Sequence, residues 1–379
     1  MKKIALAVSA ALLAGSAAAA NVTAYGVIDT GLAYLNQRVT TDGVLKEKTR
    51  KVSLDSSQST TTFWGLKGTE DLGNGYEVGF VLTSTFSSDT GRNNGDDRLF
   101  DREATISLSG DFGSVYAGRM AAMITDVGSV GWYGAIASPF GTGWNWIEGH
   151  AAVMSVVAET DNTIAYMSPR FNGLQFSAQY SMGDGSSNEN KPANDRYAAI
   201  GLDYQLGNFE IGALIDYQNK ASANIADTSK LADAWTYNVA ANYDCGYAKS
   251  FIAFQYFKDV AVMHWHALGD RATATGDGET TDPLKSRKGF GVNIGVDIPA
   301  LGGDFLVSAG YADGDLRYAK QKSGDFKIYS ALIGYDYPIS KRTDFYIGAG
   351  MTYEKEELNS GSATKNKYCQ AMIGIAHKF

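Results

Sequence analysis

The sequence predicts an all-β fold, a 16-stranded antiparallel transmembrane β-barrel. Three observations predict it. The chain ends in an alternating strand, Tyr368 to Phe379, whose last residue is a lone aromatic. Beyond residue 20 it has no run of about 18 apolar residues, so no helix can cross a bilayer. Short and long connections alternate along the chain, as they do in barrels with tight turns on one side and loops on the other.

The N-terminus comes first. Lys2 and Lys3 give a positive start, Ile4 to Ala14 is mostly apolar and uncharged, and Ala18, Ala19 and Ala20 offer small residues for cleavage. This pattern predicts a Sec signal peptide over residues 1–20, cut before Asn21, with 21–379 as the barrel. An exported chain that enters a membrane without apolar helices must close its sheet, because hydrocarbon cannot satisfy open strand edges. The 22 Tyr and 17 Phe suit the aromatic girdles of such a barrel, and the 6 Pro fall in turns or loops. Without Lys2 and Lys3, 31 of the 33 basic residues remain against 41 acidic ones, a net charge near −10 that argues against nucleic acid. Two cysteines exclude a disulfide scaffold.

Seven short connections carry turn chemistry: 70–75, 109–113, 169–173, 206–208, 244–246, 299–303 and 338–342. Eight long polar segments lie between them, near 36–57, 87–98, 121–158, 183–195, 219–233, 258–286, 313–325 and 355–366. Seven turns and eight loops require sixteen strands. The strands alternate. Tyr76, Val78, Phe80 and Leu82 read as outward, with Glu77, Gly79, Val81 and Thr83 toward the lumen. Ala104, Ile106 and Leu108 read outward against Thr105 and Ser107, and Ile211 to Tyr217 follows with less contrast. In the last strand Phe379, His377, Ile375, Ile373 and Ala371 share one face. A soluble β-sandwich also alternates, but it lacks the long and short rhythm.

Five motifs follow one another in order: Val22 to Asp29 (VTAYGVID), Trp64 to Gly73 (WGLKGTEDLG), Leu108 to Gly113 (LSGDFG) with Ala117-Gly-Arg119, Asn162 to Pro169 (NTIAYMSP), and Ile375 to Phe379 (IAHKF). With them the chain resembles the trimeric general porins of Gram-negative β-proteobacteria, the Neisseria, Bordetella and Comamonas type. The resemblance implies a homotrimer in the outer membrane, a third loop folded into the lumen, and an assembly signal at Phe379 for the barrel-insertion machinery. It implies passive diffusion of small hydrophilic solutes and ions, no cofactor and no enzymatic activity.

A diffusion pore needs a polar lumen, a constriction and charges that bias ions there. The third loop, about 121–158, is too long for an ordinary hairpin connection and holds no Lys or Arg. Its charges are Asp126 and Glu148, with Glu159 and Asp161 at its end. In the family, acidic loop residues face basic residues of the wall. Parity turns Lys67 inward, since Trp64 and Leu66 read outward. Arg119 would point outward by simple parity, and a bulge or a subunit contact could reverse that. Arg38 and Arg50, in or near the first loop, could reach inward; solvated rim charges are the alternative for all three arginines. The constriction set is therefore Asp126, Glu148, Lys67, Arg119 and Arg38. Where relatives carry Arg and Asp after the constriction loop, this chain has Ala165 and Met167, so weak cation selectivity is expected.

Trp132, Tyr133, Phe140, Trp144 and Trp146 crowd the third loop. They either pack it against the wall or stack on sugars and aromatic acids, which would make a substrate-preferring pore. A barrel whose loops serve adhesion is a more remote reading. His264 and His266 sit on one side of an extended segment but offer only two ligands. Asp277, Glu279 and Asp282 lack EF-hand spacing, although acidic loops suit divalent ions that bridge lipopolysaccharide. The four histidines suggest no catalytic triad. Cys245 falls in a periplasmic turn and Cys369 near the outer rim, about 25 Å away, too far for a disulfide.

Overall fold

The computed structural model describes residues 21–94, 98–144, 147, 152–183, 195–219, 231–260 and 284–379. Among them, 17 strands form one closed antiparallel sheet. They are β1 (Thr23–Thr41), β2 (Val44–Ser56), β3 (Phe63–Gly73), β4 (Tyr76–Thr85), β5 (Glu103–Gly110), β6 (Gly113–Ala121), β7 (Glu159–Met167), β8 (Leu174–Ser181) and β9 (Arg196–Leu206). The second half comprises β10 (Phe209–Asn219), β11 (Ala234–Asp244), β12 (Lys249–Val260), β13 (Lys285–Ala300), β14 (Gly303–Tyr318), β15 (Gln321–Ser340), β16 (Thr343–Leu358) and β17 (Ala363–Lys378). β17 returns to β1, from Val27 opposite Lys378 to Thr41 opposite Thr364, and closes the ring. Gly26 and Phe379 exchange backbone hydrogen bonds of 3.2 and 3.0 Å, so the terminal residue itself sits in the seam.

These 17 strands make 16 staves. The far part of β1 pairs with β2 and its first residues pair with β3, Thr23 lying opposite Lys67 and Val27 opposite Phe63. β2 and β3 are one stave broken at residues 57–62. The break has a cause in β1. Asp29, fully buried, takes the backbone N–H of Ser59 and Thr60 and the Ser59 hydroxyl, each at 2.8 Å, while Gln58 donates to the Gly31 carbonyl at 2.6 Å. The segment trades ladder pairing for side-chain bonds and turns into the barrel.

Alternation of exposed and buried positions is clear along β9, β10, β11, β15 and β16. Along β15, Tyr329 and Ile333 are about half exposed, whereas Phe326, Ile328 and Leu332 are buried. Outward residues are apolar because their solvent is lipid. On β4 and β5, Phe80 opposes Ile106, and Ile106 is exposed, as the alternation predicts.

Three expected long loops are not loops. Residues 36–57, 313–325 and 355–366 are mostly strand, turning tightly at Asp42-Gly43, Ala319-Lys320 and 359–362. β15 alone has 20 residues. At about 3.3 Å per residue and a tilt near 40° it stands roughly 50 Å high, about twice the apolar band. Polar side chains in these segments mark strand that has left the lipid. Both cysteines are free and exposed.

Candidate pore constriction

Residues 122–158 connect β6 to β7, and their described residues include a short helix, α1 (Tyr133–Ala137). Their large side chains lie on inward-facing positions of the wall. The Trp132 ring lies against Gly201 of β9 and Gly212 of β10, and its Nε1 donates to Ser177 at 3.2 Å. Trp144 covers Gly334 of β15 and Gly348 of β16, and Val153 returns to Gly291 and Gly310 of β13 and β14. A Cβ on Gly334 or Gly348 would come within 2.8 or 2.9 Å of the Trp144 ring, so these strands use glycine to admit it. Tyr133, Phe140 and Ile147 are almost fully buried in the same layer. Each such side chain contributes about 1.5–3 kcal/mol by burial. The loop aromatics are thus used for packing, and Trp146 lies outside the described residues.

The far end of the loop is braced. The Trp144 N–H donates to the Ser59 carbonyl at 2.9 Å, which ties it to the break between β2 and β3. Its ring meets Phe140 and Tyr346 edge-on at 5.5 and 5.8 Å, and the Tyr346 hydroxyl donates to Asp29 at 2.5 Å. Near the start of the loop, Ser129 donates to buried Glu103, which also accepts from Thr105.

The large loop side chains occupy β9–β16. The inward faces of β1 and β3 present a different surface. Lys67 stands 4.7 Å over the Tyr25 ring, Tyr25 meets Phe63 edge-on at 5.6 Å, and Arg102, just before β5, lies 4.6 Å over Phe63. Two cations cap an aromatic pair, each contact worth about 0.5–1 kcal/mol or more. Arg102 Nη1 has no hydrogen-bond partner among the described residues.

The five sequence candidates separate. Lys67 faces the lumen as parity requires. Asp126 is half-buried and accepts from the Thr142 N–H at 3.1 Å and from its hydroxyl, so its charge stays in the loop and holds the loop's shape. Arg38 is a correction. It lies opposite Lys48 and Lys367, on the face of Leu32 and Tyr34, so it points away from the lumen. Arg50, opposite Asn36, shares that outer face. Arg119 opposes Ala104 beside a bulge at Gly118, whose φ is +136°. It donates to the Asp101 carbonyl and to Asp161 at 2.7 Å, and Arg98 shares that carboxylate. Its charge is neutralised at the neck of the loop. Glu148, His264, His266, Asp277, Glu279 and Asp282 lie outside the described residues. Ala165 is buried and Ile164 is exposed, the expected order.

Sequence reasoning missed Asp29, Arg102 and Glu103. Extending the inward set of Thr105 and Ser107 back by two residues finds Glu103, whereas Arg102 precedes the strand and carries no such signal. It also missed a row of inward carboxylates. Asp297 opposes buried Leu306, Asp304 opposes Asp336, Asp336 opposes buried Tyr346, and Asp344 opposes buried Ala376. Lys249 stands across from Asp297, and Lys378 reaches Asp344 at 3.4 Å.

A sequence profile described as Gram-negative porin matches residues 5–357. An outer membrane porin protein of Bordetella pertussis is 30% identical over the whole of both chains. Outer membrane porin protein 32 of Delftia acidovorans is 27% identical, also over both whole chains. Among solved structures, an anion-selective porin from Comamonas acidovorans aligns over 95% of this chain and 100% of its own, with TM-score 0.66 and 23% identity. That likeness shows the fold. With a closed 16-stave barrel and a profile match over most of its length, the chain belongs to the Gram-negative porin family, an outer-membrane channel and not an enzyme.

Proposed function

We propose that the protein is a passive diffusion channel for small hydrophilic solutes and ions, weakly cation-selective and assembled as a homotrimer, exported by its residues 1–20. Phe379, held in the β1–β17 seam, is the proposed signal for the barrel-insertion machinery.

The observation that carries the selectivity is the row Asp297, Asp304, Asp336 and Asp344 on the lumenal side of β13–β16. Among the described residues, Lys249 stands opposite Asp297 and Lys378 reaches Asp344. Several other basic side chains of the wall are spent: Arg287 on Glu354 and Glu356 at 2.6 and 2.7 Å, Arg317 on Asp259 at 2.8 Å, and Arg119 on Asp161. A lumen lined by one sign of charge raises the local concentration of the opposite ion. Lys67 and Arg102 oppose this from the β1–β3 side and keep the preference weak. The Comamonas porin is described as anion-selective, and at 23% identity its pore charges need not be those of this chain. The buried loop aromatics weigh against the sugar-stacking alternative.

Reversal potential across a planar bilayer under a salt gradient tests this. A cation-side potential supports the reading. An anion-side potential means that Lys67 and Arg102 dominate.

A further inference from the structure

Charge in the barrel is not distributed evenly along its axis. Near the short turns, the inward faces of several staves carry acids. Asp71 of β3 lies directly opposite Glu77 of β4, on the face of Lys67. Glu210 of β10 lies between Gln205 and Asn242, and it points inward because its neighbours Phe209 and Ile211 are exposed on the outer face. Asn242 donates to it at 3.2 Å. Asp304 and Asp336 oppose one another on β14 and β15. Among the described residues these five carboxylates make no ion pair. Arg170 and Lys378, at the same end, are taken by Asp203 and Asp344, and Lys249 stands between Asp244 and Asp297. Lys341 and Arg342 lie in the turn between β15 and β16. Toward the long loops the pattern changes. There Asp161 holds Arg98 and Arg119, Arg287 holds Glu354 and Glu356, and Arg317 holds Asp259, so that four carboxylates meet four guanidinium groups.

We propose that the cation preference is set at the short-turn mouth, with Asp71, Glu77 and Glu210 as specificity-determining residues, and that the channel therefore rectifies. The proposal rests on the cation-selective reading and gives that preference a place along the axis and residues outside β13–β16. Short turns face the periplasm in outer-membrane barrels. The unpaired acids are spread around that mouth: β10 lies six staves from β4 and four from β14, and β3 lies four staves from β15. A mouth lined by one sign of charge raises the local concentration of the opposite ion. A cation that enters from the periplasm starts from this raised concentration, whereas one that enters past the paired charges of the long-loop end does not. Current is therefore larger when the periplasmic side is positive. Lys67 and Arg102 lie further in, so they temper the preference and leave its direction along the axis unchanged.

The test records current against voltage from refolded full-length barrel in planar bilayers with the same KCl solution on both sides. Orientation is read from Cys245, exposed in the turn between β11 and β12 and labelled with biotin in a Cys369→Ser background, because streptavidin lowers the current from the chamber that this turn faces. At 0.1 M salt the current is expected to be about 1.5-fold larger with the periplasmic chamber positive. At 1 M, where the screening length is about 3 Å, it is expected to be nearly symmetric. Combined Asp71→Asn, Glu77→Gln and Glu210→Gln substitution is expected to cut the asymmetry by about half or more and to move the reversal potential under a salt gradient toward the anion side. Asp71→Glu with Glu77→Asp keeps both and controls for folding. A symmetric current at 0.1 M from a channel with a cation-side reversal potential overturns the proposal and leaves the selectivity reading standing. An asymmetry of the opposite sign, or one undiminished by the triple substitution, also overturns it. An anion-side reversal potential in the unaltered channel removes the selectivity reading and the proposal together.

Discussion

Arg119 and Asp161 are 42 residues apart in the chain and 2.7 Å apart in space. Arg119 ends the approach to the third loop on β6, and Asp161 begins the departure on β7. Arg98 binds the same carboxylate oxygen at 2.7 Å. The two ends of the loop are therefore drawn together by one acid and two guanidinium groups, while its far end is held at Ser59 and Tyr346. A loop fixed at both ends within a wide barrel sets an aperture instead of sampling many.

Replacing Arg119 with Ala leaves Asp161 only Arg98. Hydrogen bonds to charged groups contribute about 1.5–3 kcal/mol, and the remaining partner should keep the loss near the lower figure. The barrel is expected to fold, with a looser loop neck. Single-channel recordings should show more open-channel noise and more frequent partial closures than the parent. Recordings indistinguishable from the parent would mean that packing alone holds the loop.

The Trp144 ring is the main anchor at the other end. Trp144→Ala removes its contacts with Phe140, Tyr346, Gly334 and Gly348 together. Core Trp→Ala changes cost about 3–5 kcal/mol, here borne mostly by loop docking. Conductance should rise as the loop lifts from β15 and β16. Gly348→Val should have the same direction by filling the ring's seat. A conductance that falls in both variants would place the ring outside the aperture-setting contacts.

Much of this fold was legible. Period-two alternation on β4, β5, β10 and β17 shows the strands, because a lipid-facing strand must be apolar on one side, and the rhythm of seven turns and eight loops gives the stave count. Parity also turned Lys67 correctly. It would have turned Arg38 outward too, since Leu32, Tyr34 and Arg38 share a face, but polar composition made residues 36–57 read as loop and stopped the count. Composition marks where strand leaves lipid, not where it ends. The Arg119–Asp161 pair, the Trp144 seat and the carboxylate row each join residues on different staves. Their neighbours are set by closure of the sheet, which no local pattern encodes.

The outer rim carries a pH-sensitive clasp. Asp42, in the turn between β1 and β2, accepts from the Ala363 N–H at 2.7 Å and from the Ser362 hydroxyl at 3.0 Å. Those bonds hold its carboxyl below the ordinary aspartate value. A depressed folded pKa means that the clasp is present above the unfolded value and lost as pH falls through the folded one. Amide exchange at Ala363 should stay slow at neutral pH and speed up at strongly acid pH relative to the intrinsic rate. Asp42→Ala should make it fast at every pH. Protection that persists in Asp42→Ala would show that backbone pairing alone closes the rim.

Charge on the lumenal wall gives the sharpest expectation. Asp304 and Asp336 oppose one another on β14 and β15, and Lys67 and Arg102 flank Tyr25 and Phe63 on the other side. In water a unit charge acts on an ion 10 Å away with about 0.4 kcal/mol, roughly a twofold change in its local concentration. Asp304→Asn with Asp336→Asn should therefore move the reversal potential toward the anion side, and Lys67→Gln with Arg102→Gln should move it toward the cation side. Both shifts should shrink between 0.1 M and 1 M salt, where the screening length falls from about 10 Å to about 3 Å. Shifts that persist undiminished at 1 M would point to a change in pore shape. Neutralising the aspartates without any shift at 0.1 M would remove the carboxylate row from the ion path and leave the loop acids, Asp126 first, as the source of any preference for cations.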